Sequence, residues 1–363
     1  MSLLSSLTGA RWFPQDWREA NWSALDEVDL GSGQQILLAE PYPGGPRLQV
    51  PHNLAGEASA DPQWWRAWLR AAVTPIELER VAPLGQEQSN TSVVLHLRDG
   101  QQWVAKLFRV VYPGPNPDVE LPQALRAAGF EHTPAVRASL PWGESTLAVA
   151  TDLVPNTGTA WEYFRAAAEA NREVEAEAEQ LGHRLGELHR ALATLHVTGV
   201  AEVPAQRVRR ALAQAPLEPE LAGALAGRID ELAAAVKQVQ LTRVHGDLHL
   251  GQILRTPDGD WQVIDFEGEP LRPLTERNRP DLAGRDLAGM LRSFSYAGWD
   301  HPEWARRTKE AFRRGFTPAV DEALVRLLEV EKALYEVEYE AQFRPDWLQV
   351  PLASINDLMQ HVN

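Results

Sequence analysis

Hydrophobic and polar positions follow one rhythm before about residue 155 and another after it. In the first part, apolar residues come in short runs, such as Gln35-Ile-Leu-Leu-Ala39 and Arg47-Leu-Gln-Val50, separated by Gly/Pro turns between Pro41 and Pro46. Runs of this length bounded by turn residues predict β-strands. Ser92 to Leu97 and Gln102 to Phe108 flank Arg98-Asp99-Gly100, which predicts a hairpin. Ser145 to Val154 predicts another strand. Two helices interrupt the strands: Asp61 to Val73, with Asp61 as cap and Pro62 in the first turn, and Asp118 to Ala128. From Trp161 onward Glu, Ala and Leu recur at helical spacing through Leu195, and again from Leu221 to Val239. Short strands around Asp265 break the helical region, which resumes from Asp286 to His361. The pattern predicts an α+β chain of two lobes, divided near Pro155 to Thr159. Residues 1–75 are expected to form a small N-terminal cap, 76–155 a β-rich lobe and 156–363 a helical lobe.

Composition narrows the function classes. The chain has 363 residues and a net charge of −15, which argues against nucleic acid or an anionic membrane surface as a main partner. It has no cysteine, so disulfides, thiolate metal sites and cysteine nucleophiles are excluded together. Met1 to Ala10 lacks the pattern of a signal peptide, and no apolar run of about 18 residues predicts a membrane span. The expectation is a cytoplasmic protein.

The densest chemistry lies in Val244-His-Gly-Asp-Leu-His-Leu-Gly-Gln-Ile-Leu-Arg255 and Val263-Ile-Asp-Phe-Glu267, joined through a turn at Pro257 to Gly259. Asp247, an amide five residues on at Gln252, and Asp265 after an apolar strand supply a carboxylate base and oxygen ligands for a hard cation. Taken alone, Asp247 reads equally as a turn aspartate. The three together resemble the catalytic and metal loops of the protein-kinase superfamily, in the variant of the aminoglycoside-phosphotransferase-like small-molecule kinases. That resemblance implies a bilobal kinase-like fold with ATP and Mg²⁺ as cofactors. Asp247 becomes the base that orients the acceptor hydroxyl, and Gln252, in place of the more usual Asn, holds Mg²⁺ with Asp265. It also implies that Lys106 contacts the α- and β-phosphates, with Glu120 as its carboxylate partner. Ser89, Asn90, Thr91 and Ser92 form a polar loop suited to phosphate, and the adenine would lie near Val149 to Leu153. Lys106 reads otherwise as an edge-strand lysine, and the polar loop as a simple turn. Asp286 reads as a structural acceptor for the N–H groups of the catalytic loop.

Further segments carry a narrower resemblance, to the maltokinase family. They are Arg11 to Phe13, Glu87 to Ser92, Lys106 to Arg109, Asn116 to Asp118, Ile264 to Pro270, Arg285 to Phe294, Lys332 to Glu340 and Arg344 to Trp347. The resemblance implies phosphorylation of maltose to maltose 1-phosphate, with a functional link to a trehalose synthase. One departure is a shortened N-terminal cap, which leaves glucosamine or an aminoglycoside as alternative acceptors. A non-catalytic pseudokinase is a third reading, opposed by the intact Asp247, Gln252, Asp265 and Lys106.

On the acceptor side, Lys332, Tyr335 and Tyr339 share one helix face and suit a sugar. The same tyrosines also fit a core role. His249, Glu267 and Arg344 join them as candidate substrate contacts, and Glu269 and Arg272 bind sugar or hold the loop. Trp12, Trp17, Trp22, Trp64, Trp65 and Trp68 are expected in the core of the cap, and Trp347 near the acceptor helix. His183, His189 and His196 read as core or surface residues, because no acidic cluster accompanies them.

Overall fold

The computed structural model describes residues 3–10, 13, 18–42, 47–73, 76–85, 90–195, 197, 203–269 and 274–360. Of the expected site and core residues, Ser89, Arg272, Trp12, Trp17 and His196 lie outside this set. The chain forms two compact units, residues 1–123 with 134–154, and residues 124–133 with 155–363.

The first unit opens with a short helix α1 (Leu3–Leu7) and an antiparallel run of β1 (Ser23–Gly31), β2 (Gln34–Glu40), β3 (Arg47–Asn53) and β4 (Gly56–Glu57). Helix α2 (Pro62–Ala72) follows, and Asp61 caps it by accepting the Gln63 N–H. A second antiparallel sheet holds β5 (Leu78–Pro83), β6 (Asn90–Leu97) and β7 (Gln102–Phe108). The chain then adds β8 (Val110–Val111), which pairs with β3, and α3 (Pro117–Ala127), which runs into the second unit. Last come β9 (Val136–Trp142) and β10 (Ser145–Asp152), and β10 pairs with β7. Trp64, Trp65 and Trp68 on α2 are fully buried, in one core with Ile36 and Leu38 of the first sheet and Leu95, Ala105 and Leu107 of the second. The segment expected as a separate cap therefore shares its core with the β-rich segment. Burying each such large side chain contributes about 1.5–3 kcal/mol, enough to weld two small sheets that neither could bury alone.

The second unit is mainly helical. Helix α4 (Ala160–Glu169) begins with a capping box between Thr159 and Glu162. It is followed by α5 (Glu175–Thr194), α6 (Pro204–Gln214) and α7 (Pro219–Ala235). Four short strands then frame the segment that carries Asp247, Gln252 and Asp265: β11 (Leu241–Thr242), β12 (Ile253–Arg255), β13 (Trp261–Val263) and, after α8 (Leu274–Arg277), β14 (Asp281–Leu282). Strands β12 and β13 form a hairpin, and β11 pairs with β14. The chain ends with α9 (Arg285–Ala297), α10 (Pro302–Gly315), α11 (Glu322–Phe343) and α12 (Gln349–Gln360). Trp261 of the hairpin stacks on Phe164 of α4 at 5.7 Å, and Phe164 meets Phe294 of α9 edge-on at 5.0 Å. These rings fix the hairpin, and with it the loop before it, onto the helices. Among the described residues, no helix is long and apolar enough to cross a membrane.

Candidate active site

The loop from Val244 to His249 is held from behind. Asp286, fully buried near the start of α9, accepts the N–H groups of His245 at 2.8 Å and Gly246 at 2.9 Å. Nε2 of His189, on α5, lies 3.2 Å from the same carboxylate. Burial alone would raise the Asp286 carboxyl. The hydrogen bond and electrostatic pull of His189, together with the Gly246 N–H, overcome this and hold it well below the usual carboxylate range. The His245 ring donates from Nε2 to the Ile264 carbonyl at 2.9 Å, and its Nδ1 accepts the Asp247 N–H at 3.3 Å. Those partners assign the tautomer with its proton on Nε2. The expected structural role of Asp286 is thus visible as geometry, and His189 has a partner that sequence spacing did not reveal.

Two close fits shape the backbone here. Gly246 sits at φ +90°, a conformation open to glycine and strained for other residues. A Cβ on Gly289 of α9 would lie 2.5 Å from the Leu248 carbonyl oxygen, so only glycine lets the helix pass this close to the loop.

Asp247 projects beside Lys332 of α11, with 4.0 Å between Oδ1 and Nζ. Gln252 follows on a 3₁₀ turn, and its Nε2 donates to Asp265 Oδ2 at 3.0 Å. The Ile264 N–H returns to the Gln252 carbonyl at 3.0 Å, so the hairpin brings the amide and the second aspartate together. Asp265 has φ +65°, an uncommon conformation for a residue with a side chain and one that concentrates at functional sites. Carboxylate oxygens of Asp265 and Glu267 come within 4.8 Å of each other. Gln252, Asp265 and Glu267 thus offer an all-oxygen donor set of the kind a hard divalent cation takes. Glu267, expected on the substrate side, is placed with the metal candidates instead.

A pocket of about 480 Å³ opens beside Asp247. Its walls include His249, Tyr296 of α9, and Lys332, Tyr335, Glu336, Tyr339, Glu340 and Arg344 from α11 and its end. Tyr335 and Tyr339 stack at 6.3 Å and 18°. Of the expected substrate residues, His249, Lys332, Tyr335, Tyr339 and Arg344 are brought together here. Burial lowers the His249 pKa against the pull of Asp247, with Lys332 and His245 adding to the lowering. Glu336, Glu340 and Tyr296 were not anticipated. Glu336 and Glu340 follow Lys332 at i+4 and i+8, so helical spacing held the signal.

In the first unit, Lys106 Nζ pairs with Asp118 Oδ2 at 2.8 Å, both side chains largely buried. Glu120, the expected partner, lies two residues on, about 200° round the helix. Residues 90–92 are strand rather than loop, and Ser92 faces Lys106 and Asn90 faces Phe108 in the β6–β7 register. Side-chain alternation puts Asn90 and Ser92 on the Lys106 face of the sheet and Thr91 on the other. Thr91 is buried, and its hydroxyl accepts from Arg109 Nε at 2.8 Å, so this residue is committed to the core.

An aspartate, clustered oxygen donors and a lysine paired to a carboxylate are residue types that phosphoryl transfer employs. The phosphotransferase enzyme family model matches residues 80–328, over half of the chain. The chain belongs to that family. This phosphotransferase is 30% identical to a glucosamine kinase of Streptacidiphilus jiangxiensis, over 75% of this chain and 72% of the relative. It is 26% identical to a glucosamine kinase of Mycolicibacterium smegmatis, over 92% of this chain and 98% of the relative. Its fold is similar to a solved glucosamine kinase in complex with glucosamine, ADP and inorganic phosphate. That match has a TM-score of 0.72 and 22% identity, and covers 98% of each chain.

Proposed function

We propose that this phosphotransferase is an ATP-dependent amino-sugar kinase that phosphorylates a hydroxyl of glucosamine. Glu340 carries the choice of acceptor. Its side chain is only 2% exposed, and Oε1 accepts from Arg344. Oε2 is buried without a hydrogen-bond partner among the described residues. Burial raises the Glu340 pKa, against the opposing charge and hydrogen bond of Arg344. An uncompensated buried carboxylate oxygen costs free energy, and a ligand ammonium in the pocket would satisfy it. Asp247 lines the same pocket and adds to its preference for a cation, whereas Glu336 on the same wall is already held by Arg292 Nε at 3.0 Å. Maltose, the acceptor implied by the resemblance to maltokinases, offers hydroxyl donors but no ammonium to pair with this carboxylate. The two relatives, both glucosamine kinases, support the same choice.

In this reading Asp247 accepts the proton of the attacking hydroxyl, and Lys332 and the tyrosine pair orient the sugar ring. Lys106, kept in place by Asp118, holds the nucleotide phosphates. Mg²⁺ on Gln252 and Asp265, with Glu267 as a further oxygen, would neutralise charge on the transferred phosphoryl group. The test is an acceptor panel of glucosamine, glucose, maltose and an aminoglycoside, with ADP release as readout. Glucosamine should give the highest kcat/KM, and Asp247→Asn should lower its kcat by roughly 10²–10⁴-fold. Preference for maltose over glucosamine would overturn the acceptor, and full turnover by the Asp247 variant would overturn the mechanism.

A further inference from the structure

Lys332 has two carboxylates within reach, and they are unequal. Its Nζ is 2.8 Å from Glu269 Oε1 and 4.0 Å from Asp247 Oδ1. Glu269 is 2% exposed, and its second oxygen accepts from Arg285 Nη2 at 2.5 Å. Arg285 continues the alternation, with Glu331 at 3.2 Å and Asp281 Oδ2 at 3.5 Å. Arg207 of α6 closes it, donating to Glu331 at 2.7 Å and also bonding Asp281. Each member is nearly buried, so none can leave its partner without stranding a charge.

We propose that Glu269 is a positioning residue that holds the Lys332 ammonium off the Asp247 carboxylate. The proposal rests on the reading of Asp247 as the base. A lysine head on a flexible stem, 4.0 Å from a carboxylate, closes to contact when nothing stronger holds it. Closure would tie one oxygen of the carboxylate that this reading assigns to the acceptor hydroxyl into an ion pair and lower its basicity. Glu269 prevents this because it offers a shorter, drier bond, and Arg285 keeps Glu269 from turning away. The separation between Lys332 and Asp247 is thus set from outside the acceptor pocket.

The test is a double-mutant cycle in the full chain with glucosamine and ATP, using Glu269→Gln and Lys332→Met. Glu269→Gln should lower kcat at least tenfold while KM for glucosamine changes less than threefold. Glu269→Asp, which keeps the charge, should restore most of the rate. In the Lys332→Met background, Glu269→Gln should cause no further fall in kcat, since there is no ammonium left to close on the base. Multiplicative losses in the cycle, or a kcat for Glu269→Gln equal to that of the parent, would overturn the proposal. Should Glu269→Gln fail to fold, Glu269→Met takes its place in the cycle and must show the same fall in kcat alone and no further fall in the Lys332→Met background. Asp247→Asn is measured alongside. An active Asp247→Asn defeats the base assignment itself, whereas an inactive one with a multiplicative cycle defeats only the role of Glu269.

Discussion

Two pockets of the helical unit share Lys332 and Tyr335 and use charge in opposite ways. The larger, about 690 Å³, is lined by Arg207, Glu269, Asp281, Arg285 and Glu331 among others. Its charges answer one another through short bonds. The smaller, about 480 Å³, has aromatic walls, the base candidate and a buried carboxylate oxygen with no hydrogen-bond partner among the described residues. Volume and charge density would favour the first as a ligand site. Uncommitted chemistry favours the second, because a ligand gains little from groups that already satisfy each other. On this reading the larger pocket is scaffold and the smaller one does the recognising.

The sharpest way to break the comparison is to cut one arginine in each pocket. Arg285→Met removes a 2% exposed guanidinium and strands Glu269, Asp281 and Glu331. Loss of one partner from a buried pair costs about 3–5 kcal/mol, read as a lower midpoint in denaturant. Arg344→Met removes a side chain that is 53% exposed and should cost no more than about 1 kcal/mol, the range of exposed pairs. Equal losses would mean that the two pockets do not differ as scaffold and site.

The second prediction concerns affinity. Glu340→Gln should raise KM for glucosamine roughly tenfold, about 1.4 kcal/mol, and leave KM for glucose within twofold. Stability moves the other way. The Glu340 carboxyl is raised above the ordinary glutamate value of about 4.3, so its contribution is fully present below that pH and is lost as pH rises through the higher folded value. Glu340→Gln removes this loss, and the variant should gain stability relative to the parent as pH rises through that window. Parallel denaturation curves at all pH values would show that Glu340 is not a strained acid and would weaken the amine assignment.

How much of this was legible in the sequence depends on distance along the chain. The β6–β7 hairpin was readable because strand alternation and the Asp99-Gly100 turn agree locally, and α2 because Asp61 and Pro62 mark its start. Asp247, Gln252 and Asp265 were readable because the site is built from one loop and one hairpin. Strand β1 carried no signal, since most of its side chains are exposed and no apolar alternation is needed. The strand that holds Asn90 to Ser92 was taken for a loop because three consecutive polar residues lack the apolar alternation that marks a strand. The pairing of Lys106 with Asp118 was not read from the sequence, because Asp118 and Glu120 both lie in the first turn of α3 and spacing alone does not choose between them. The link from Glu269 to Lys332 spans 63 residues, and no local pattern encodes it. Local rules therefore marked the candidate residues, and the contacts that support them required the fold.

The smallest expected effect tests whether the aromatic wall contributes to recognition beyond the carboxylates. Trp347 lies on the turn after α11 and stacks on Tyr296 at 6.2 Å and 17°. Tyr296 lines the smaller pocket, and its hydroxyl donates to Glu340 Oε1 at 3.4 Å. Burial, helped by Glu336, raises the Tyr296 pKa, so this hydroxyl stays a donor across the working pH range. An aromatic pair of this kind is worth about 0.5–1.5 kcal/mol beyond its area, and only part of that reaches the ligand. Trp347→Ala should therefore raise KM for glucosamine by roughly two- to threefold with kcat unchanged, and Trp347→Phe should recover it. A KM unchanged in Trp347→Ala would assign recognition to the carboxylates alone and sharpen the contrast between the pockets. A tenfold rise would instead place the rim at the centre of acceptor binding, because one ring at the pocket edge would then match the effect of the buried Glu340.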